Sequence, residues 1–300
     1  MGFKDDAGAR GQTEMKTPYV SAARLEAYTQ CPFMYYLKYI KKAGEREPAL
    51  YLTEGQLLHK VIEITFKYYK KEGLDAWKTP GTEAHKEFTE FIDYHISLFP
   101  GTSFKDIVDR LGRYWENVKK KLNFDKMLFS EHVYDFFIEG VEFFGIADIV
   151  MEDGTIVDLK TGYRLKTQTM LNQSVQLVIY ALGENVRRIF AGEKISPFTA
   201  RKVQYISVTR AKPDDIRVIS RIVHKEDYIH LIMIAKEFLK AHELDVFPPV
   251  TPSKCMSWCP FKDDCDSYLI ERNPIDLSKI RFSLDDRRLP APLNLVKPLN

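Results

Sequence analysis

The first 128 residues carry a helical pattern of apolar positions. Apolar side chains recur at three- and four-residue spacing at Leu57, Leu58, Val61, Ile62 and Phe66. Such spacing places them on one face of a helix, and the residue types at 53–56 predict a capping box that opens this helix. Two further helical stretches are expected, at residues 82–98 and 103–122.

Two shorter helices are predicted near the N-terminus. Ser21 is a suitable N-cap for a helix that runs through Leu25 and Tyr28. Pro32 interrupts that pattern, but proline is tolerated in the first turn of a second helix. Cys31 therefore lies at a junction between helices, where its side chain can point away from a regular helix face.

After residue 128 the pattern becomes one of strands. Residues 130–139, 142–151 and 155–160 are rich in Val, Ile and Phe and are separated by Glu-Gly and Asp-Gly turn signals. The remaining predicted elements are a helix over 170–190, strands over 202–209 and 215–222, and a helix over 226–242. This order predicts an α/β protein with a mixed core and a helical elaboration.

The same patterns divide the chain into five segments. We expect a flexible lead-in at 1–17, a helical N-terminal region with Cys31 and His59 at 18–128, a core at 129–245, a cysteine segment at 246–272 and an irregular tail at 273–300.

Composition narrows the class of protein. The chain has 300 residues and 45% hydrophobic content, which is enough for a large core. Its net charge is only +2, so a nucleic acid would have to bind through a local groove. Because no run of 18 apolar residues and no secretory signal are found, we expect a cytoplasmic protein that does not span a membrane.

The main candidate for chemistry is a pair of charged residues in the third predicted strand. Asp158 and Lys160 are two apart, so their side chains project from the same face. Ile156 and Val157 predict that this strand is largely buried. Charged groups in such a strand are costly unless they are paired or bind a metal.

The turn before this strand decides whether Asp148 joins the pair. A two-residue turn at Asp153-Gly154 would pair Asp148 with Leu159 and put its side chain on the wrong face. A three-residue loop over 152–154, with Gly154 in the left-handed conformation, pairs Asp148 with Asp158 instead. We predict the three-residue loop.

In that register two carboxylates and one ammonium group converge. Carboxylate oxygens suit Mg²⁺ or Mn²⁺, and Lys160 can position a nucleophile or stabilise charge on a phosphate that is being attacked. The alternative interpretation is a structural salt bridge on a hairpin, which the Asp-x-Lys spacing fits as well.

Other polar residues could contribute to such a site. His59 falls within an apolar helical pattern and is either a metal ligand or a core histidine. Gln176 and Tyr180 lie four apart on one helix face and could bond a phosphate or the water around a metal. Surface strand positions adequately explain Glu131 and Glu142.

Together these residues resemble the RecB-type branch of the PD-(D/E)xK nuclease superfamily. The match is ordered along residues 20–268: Gly-x3-His (Gly55, His59), Gly-x2-Asp (Gly145, Asp148), Asp-x-Lys-Thr-Gly (Asp158 to Gly162) and Gln-x3-Tyr (Gln176, Tyr180). The resemblance implies a restriction-endonuclease-like core, in which helices flank a mixed central sheet.

The resemblance also implies the roles of these residues. It implies that His59, Asp148, Asp158 and the carbonyl of Leu159 bind the divalent metal. It further implies that Lys160 is catalytic and that Gln176 and Tyr180 contact substrate or order the site.

The cysteines resemble those of one branch of this family. That branch, which includes the AddB-type and the CRISPR-associated RecB-like exonucleases, holds a four-iron, four-sulfur cluster. The resemblance implies such a cluster on Cys31, Cys255, Cys259 and Cys265. The first gap among the last three is three residues, where the common pattern has two. From the residue types alone, a four-thiolate zinc site or buried cysteines remain alternatives.

The resemblance predicts a metal-dependent DNA exonuclease that prefers single-stranded or frayed ends. Two alternatives remain: a non-catalytic iron–sulfur module that binds DNA or accompanies a helicase, and a nuclease for RNA. The sequence has no Gly-x4-Gly-Lys-Ser/Thr loop, so any ATP-driven unwinding must come from a partner.

Basic runs could line the groove that leads to the site. They are Lys41-Lys42, Lys70-Lys71, Lys119-Lys120-Lys121, Arg187-Arg188 and Arg201-Lys202. Aromatic residues that could stack on unpaired bases are Tyr35, Tyr36, Tyr68 and Tyr69.

Overall fold

The structure, a computed structural model, describes residues 18–43, 50–99, 104–209, 212, 215–250, 259–261 and 265. Residues Met1–Thr251 form one compact unit and Pro252–Asn300 form a second. The first unit therefore contains both the helical region and the core that the sequence separates at residue 128.

A five-stranded mixed sheet is the centre of the first unit. Its strands are β1 (Met127–Ile138), β2 (Val141–Met151), β3 (Ile156–Gly162), β4 (Arg201–Thr209) and β5 (Ile216–Val223). Their spatial order follows the chain. Only the pairing of β3 with β4 is parallel, and the other neighbours are antiparallel. The predicted mixed sheet flanked by helices is thus confirmed.

Eight α-helices lie in the described part of the chain. They are α1 (Ala22–Gln30), α2 (Pro32–Tyr35), α3 (Leu50–Glu72), α4 (Glu83–Leu98), α5 (Phe104–Val118), α6 (Gln168–Asn172), α7 (Val175–Phe190) and α8 (Lys225–Glu243). None of these described helices is long and apolar enough to cross a bilayer.

The two faces of β3 meet different helices. Val157 and Leu159 belong to the hydrophobic core that includes buried residues of α3, α4 and α5, among them Trp115. The alternating residues Asp158 and Lys160 project to the other face, where α7 packs on β1 to β4. The alternation along one strand therefore separates the apolar core from the charged residues.

Two predicted helix boundaries are wrong. Helix α3 begins at Leu50, so residues 53–56 are interior to it and do not form its capping box. The single helix predicted over 170–190 is two helices, because Ser174 adopts an extended conformation and its hydroxyl accepts a hydrogen bond from Leu177 N at 3.3 Å. A serine that caps a new helix favours a break over continuation.

The predicted loop between β2 and β3 is confirmed. Met151 N donates to Thr155 O at 2.9 Å, and the next ladder pairs are Val150 with Ile156 and Ile149 with Val157. Gly154 has φ +79°, which is the left-handed conformation that glycine adopts without strain. Continuing this register by one residue places Asp148 opposite Asp158.

Helix α1 is attached to the sheet through a short bridge to β2. Val20 N donates to Glu142 O at 2.8 Å, and Phe144 N donates to Val20 O at 3.0 Å. Ser21 then caps α1 as predicted, accepting a hydrogen bond from Arg24 N. This bridge holds the start of α1 next to the sheet.

Gly154 has a left-handed backbone, and its surroundings also leave no space for a side chain. A Cβ there would collide with the guanidinium of Arg201, whereas a Cβ at Gly192 (φ +92°) would meet no atom within 4 Å. We expect Gly192→Ala to lower the free energy of unfolding by about 1–2 kcal/mol. Gly154→Ala should lower it by a further 1–3 kcal/mol or so, because Arg201 must move. Urea denaturation measures both; equal losses would show that the collision is relieved without cost.

Candidate active site

The carboxylate of Asp148 accepts a hydrogen bond that a backbone carbonyl would accept in a regular sheet. The ladder between β2 and β3 consists of the pairs up to Ile149 and Val157, and its continuation would join Leu159 to Ala147. Leu159 N instead donates to Oδ2 of Asp148 at 2.7 Å. The sheet therefore opens between β2 and β3, and Asp148 lies in the opening, buried to 7% exposure.

His59 and Glu131 approach the other oxygen of Asp148. His59 Nδ1 lies 3.4 Å from Asp148 Oδ1 and 3.3 Å from Glu131 Oε1. Glu131 is opposite Asp148 across the β1–β2 ladder, between the pairs Ser130–Ile149 and His132–Ala147. Its φ of +50° is rare for a residue with a side chain. One ligand atom from each of the three residues fits within 4.8 Å.

Lys160 links Asp158 to helix α7. Its Nζ donates to Oδ1 of Asp158 at 3.0 Å and to Oε1 of Gln176 at 3.0 Å. Gln176 Nε2 in turn donates to the Tyr180 hydroxyl at 2.8 Å. The four side chains form one connected chain of hydrogen bonds, in which Gln176 fixes the position of the ammonium group.

Two glycines make room for this arrangement. A Cβ on Gly145 would lie 2.5 Å from the ring of Tyr180, so the ring occupies the space that a side chain at 145 would need. A Cβ on Gly55 would lie 3.1 Å from Oγ1 of Thr161, which allows α3 to pass close to β3. The glycines of both sequence motifs thus act through close packing.

Burial is the main influence on the carboxylates. Asp158 is fully buried, and this burial raises its pKa to about 6, with Lys160 opposing the rise and Asp148 adding to it. Burial also raises the pKa of Asp148, although His59 and Lys160 counteract it. Two buried carboxylates facing each other favour protonation unless a cation is close.

The two basic side chains of the site, His59 and Lys160, have raised pKa values because the nearby carboxylates favour their charged forms. Burial alone would lower the pKa of His59, but the carboxylates of Asp148 and Glu131 raise it to about 9. Burial likewise opposes the charge on Lys160, yet Asp158 and Asp148 hold its pKa above the usual range. At neutral pH the site therefore holds an ammonium and, without a metal, an imidazolium.

The donor set fits a hard divalent cation. Asp158 is fully buried, and Nζ of Lys160 lies 3.0 and 2.8 Å from its two oxygens. A divalent cation would supply a further positive partner for these buried oxygens and for Asp148. The neighbouring Asp148, Glu131 and His59 supply oxygen and imidazole ligands of the types that Mg²⁺ and Mn²⁺ accept.

The structure brings together the residues that the sequence singles out. His59, Asp148, Asp158, Lys160, Gln176 and Tyr180 form one cluster, and Leu159 is between the two β3 residues. Glu142 is exposed and contributes its backbone carbonyl to Val20.

Glu131 is the residue of the site that the sequence interpretation sets aside. The sequence pattern explains it as an ordinary surface position on a strand, but its side chain reaches His59. The pairing of β1 with β2 could have found it, because the residue opposite Asp148 on β1 is Glu131. The positive φ that turns its side chain toward His59 has no sequence signal.

The cysteines can be described in part. Cys31 is buried in an extended conformation between α1 and α2, and its Sγ accepts a hydrogen bond from Met34 N at 3.4 Å. Among the described cysteines, which include Cys259 and Cys265 in the second unit, none forms a disulfide. Cys255 lies outside the described residues.

Comparison with known sequences identifies the family of this chain. The profile of the PD-(D/E)XK nuclease superfamily matches residues 19–266. A subunit of the ATP-dependent helicase/deoxyribonuclease of Clostridium novyi is 30% identical over 118 residues, which are 38% of this chain and 10% of that protein. The protein of the same name from Clostridium botulinum is 29% identical over 120 residues, with the same coverage. The match therefore spans a tenth of the length of these relatives.

A solved structure shares the fold. A presumed exonuclease from Eubacterium rectale superposes with a TM-score of 0.51, covering 85% of this chain and 92% of its own, at 14% sequence identity. At this identity the likeness concerns the fold alone.

The raised pKa of His59 predicts how pH affects the metal-free protein. Because folding raises this pKa from its usual value of about 6.5 to about 9, the imidazolium stabilises the fold fully below pH 6.5 or so. This stabilisation is lost as pH rises through about 9. In EDTA, the free energy of unfolding of the parent should exceed that of His59→Gln by an amount that decreases as pH rises from about 6.5 to about 9. Urea denaturation across the range measures it, and a difference independent of pH would contradict the assigned ion pairs.

Proposed function

The chain belongs to the PD-(D/E)XK nuclease superfamily, and from this membership we propose that it hydrolyses phosphodiester bonds in DNA with the help of a divalent cation. The observation that carries the proposal is the convergence of Asp148, Asp158 and Lys160 in the opening between β2 and β3. A structural salt bridge on a hairpin would not require the second buried carboxylate, nor His59 and Glu131 beside it.

The residues proposed to hold the cation are His59, Glu131, Asp148 and Asp158, together with the carbonyl of Leu159. A bound Mg²⁺ or Mn²⁺ would neutralise charge on the scissile phosphate and make water a stronger nucleophile at neutral pH. Binding would require a neutral His59, so protons are released when the cation enters. The Asp148 carboxylate is already oriented for this by the Leu159 amide.

Lys160 acts in this proposal as a fixed positive charge. Because its pKa is held above the usual range by Asp158 and Asp148, it stays protonated and cannot serve as a general base. Its hydrogen bonds to Asp158 and Gln176 position the ammonium in advance. A preorganised cation stabilises the extra charge that a phosphate gains as it is attacked.

The finer activity is proposed by analogy with relatives. We assign an exonuclease that acts on single-stranded or frayed ends, as the family resemblance implies. The curated relatives are named as subunits of a helicase/deoxyribonuclease. By the same analogy we assign unwinding to a partner.

We also propose a four-iron, four-sulfur cluster on Cys31, Cys255, Cys259 and Cys265. The support in the structure is the setting of Cys31, whose sulfur is buried and accepts a backbone hydrogen bond, as cluster thiolates commonly do. A cluster would close a loop of more than 220 residues and so constrain the unfolded chain. Its role would be structural.

A cleavage assay tests the proposed activity. End-labelled single-stranded and duplex DNA should be degraded in Mg²⁺ or Mn²⁺ but not in EDTA. Lys160→Ala should lower the rate about 10²- to 10³-fold, because a preorganised charge is lost. Lys225→Ala, at an exposed lysine that begins α8 and belongs to none of the basic runs, is the matched control and should retain the parent rate.

Two outcomes would contradict this assignment. A folded, metal-supplied protein that binds DNA without cutting it would favour the non-catalytic module. Degradation of RNA in preference to DNA would change the substrate class. The position of the retained label also distinguishes digestion from either end.

Metal analysis tests the cluster separately from the catalytic cation. Protein purified without oxygen should contain about four iron atoms and four acid-labile sulfides per chain, and Cys31→Ser should lose both. His59→Ala, which alters only the proposed cation site, should retain them. One zinc per chain and no labile sulfide would identify a four-thiolate zinc site instead.

A further inference from the structure

The aromatic residues that the sequence suggests for base stacking are occupied elsewhere. Tyr35 and Tyr36 are buried, and the hydroxyl of Tyr35 pairs with His242 Nε2 at 2.8 Å. Tyr68 donates to Glu87, and Tyr69 donates to the carbonyl of Phe124. Other residues are therefore better placed to hold an unpaired base.

A column of stacked groups is formed by residues of β1 and α7. The rings of Phe129 and His132 stack at 4.2 Å with an interplanar angle of 16°, and Tyr134 meets His132 edge-on at 4.8 Å. The guanidinium carbon of Arg187 lies over the Phe129 ring at 5.1 Å. Phe129, His132 and Arg187 are each partly exposed. We call these three residues the stacking column.

The column is fixed by a buried carboxylate. Arg187 Nε and Nη2 donate to the two oxygens of Glu184 at 2.7 and 2.8 Å, and Glu184 has no exposure. The Tyr134 hydroxyl donates to Glu184 at 3.0 Å. The guanidinium is therefore held in one plane, with its side chain 27% exposed. A rigid platform loses little entropy when a ligand stacks on it.

The position of the column follows from the β1–β2 register. His132 pairs with Ala147, so it is one residue from the pair of Glu131 and Asp148 on both strands. On the side of α7, Tyr134 adjoins His132 of the column, and its ring lies 6.4 Å from that of Tyr180. Tyr180 ends the chain of hydrogen bonds that begins at Lys160. A base next to a phosphate held through the cation is therefore within reach of the column.

We propose that the outer face of the Arg187 guanidinium, backed by Phe129 and His132, stacks on one unpaired base of the DNA strand next to the scissile phosphate. This proposal rests on the proposed nuclease function and deepens it, because it assigns the preference for single strands to named residues. Aromatic rings and guanidinium planes stack on any base. A paired base in a duplex is already stacked on both sides and gains nothing from the column.

An abasic scan tests the proposal. The probes are fluorescein-labelled oligothymidylates that each carry one abasic position, at a different place in each strand. Their binding to the full chain is measured by fluorescence anisotropy. The chain carries Lys160→Ala to prevent cleavage. In this background one abasic position should weaken binding about tenfold, the range for one stacked base. Phe129→Ala or Arg187→Gln should weaken binding of the intact strand similarly and abolish the effect of that position. Binding of a blunt duplex should not change.

Controls separate stacking from loss of folding. Phe129→Trp retains an aromatic face and should restore both the affinity and the sensitivity to the abasic position. Tyr94→Ala removes an aromatic side chain that is 55% exposed on α4, in the other helical layer, and should leave both unchanged. Abasic effects that are equal in the parent and in Phe129→Ala at every position, or no binding of single strands, would overturn the proposal.

The scan and the cleavage assay fail independently. Metal-dependent cleavage, combined with abasic effects that Phe129→Ala does not change, would contradict the proposed stacking and support the nuclease. Abasic effects that Phe129→Ala abolishes, in a protein that never cuts DNA, would support the column as a binding surface and contradict the nuclease.

Discussion

The hydrogen bond from the Leu159 amide to Asp148 is the contact on which the site depends. It ends the ladder between β2 and β3 after Ile149 and Val157, because the amide that would continue the ladder is used by a side chain. The strands can then separate, and the gap admits His59 from α3 to the second oxygen of Asp148. A regular sheet would have satisfied more backbone groups but would have left no opening between the carboxylates.

The opening between β2 and β3 brings buried charged side chains together at an energetic cost to the fold. Asp148 and Asp158 are buried close together, and their pKa values rise as a result. His59 and Lys160 compensate for part of this repulsion, and Nζ of Lys160 lies within 3.0 Å of both oxygens of Asp158. A cation would stabilise such a site, so the feature that weakens the metal-free fold would also give affinity for the proposed metal.

Short-range patterns are sufficient to predict the sheet and the hairpin, but not the whole site. The three-residue loop and Gly154 fix the register, and the register alone brings Asp148 to Asp158. The part played by His59, which is remote from Asp148 along the chain, can be inferred only from family resemblance. The β1–β2 pairing alone places Glu131 opposite Asp148, but no periodicity encodes the positive φ that turns its side chain toward His59.

Helix α7 connects the side chains proposed to be catalytic with the stacking column. Gln176, Tyr180, Glu184 and Arg187 lie on one stripe of this helix, at spacings of four, four and three residues. At one end Gln176 holds Lys160, and at the other Glu184 holds Arg187 over Phe129. Gly145 and Gly183 admit the rings of Tyr180 and Tyr134, so this stripe packs directly on β1 and β2. A single helix can therefore set the distance between the charge proposed to act on the phosphate and the surface proposed for the neighbouring base.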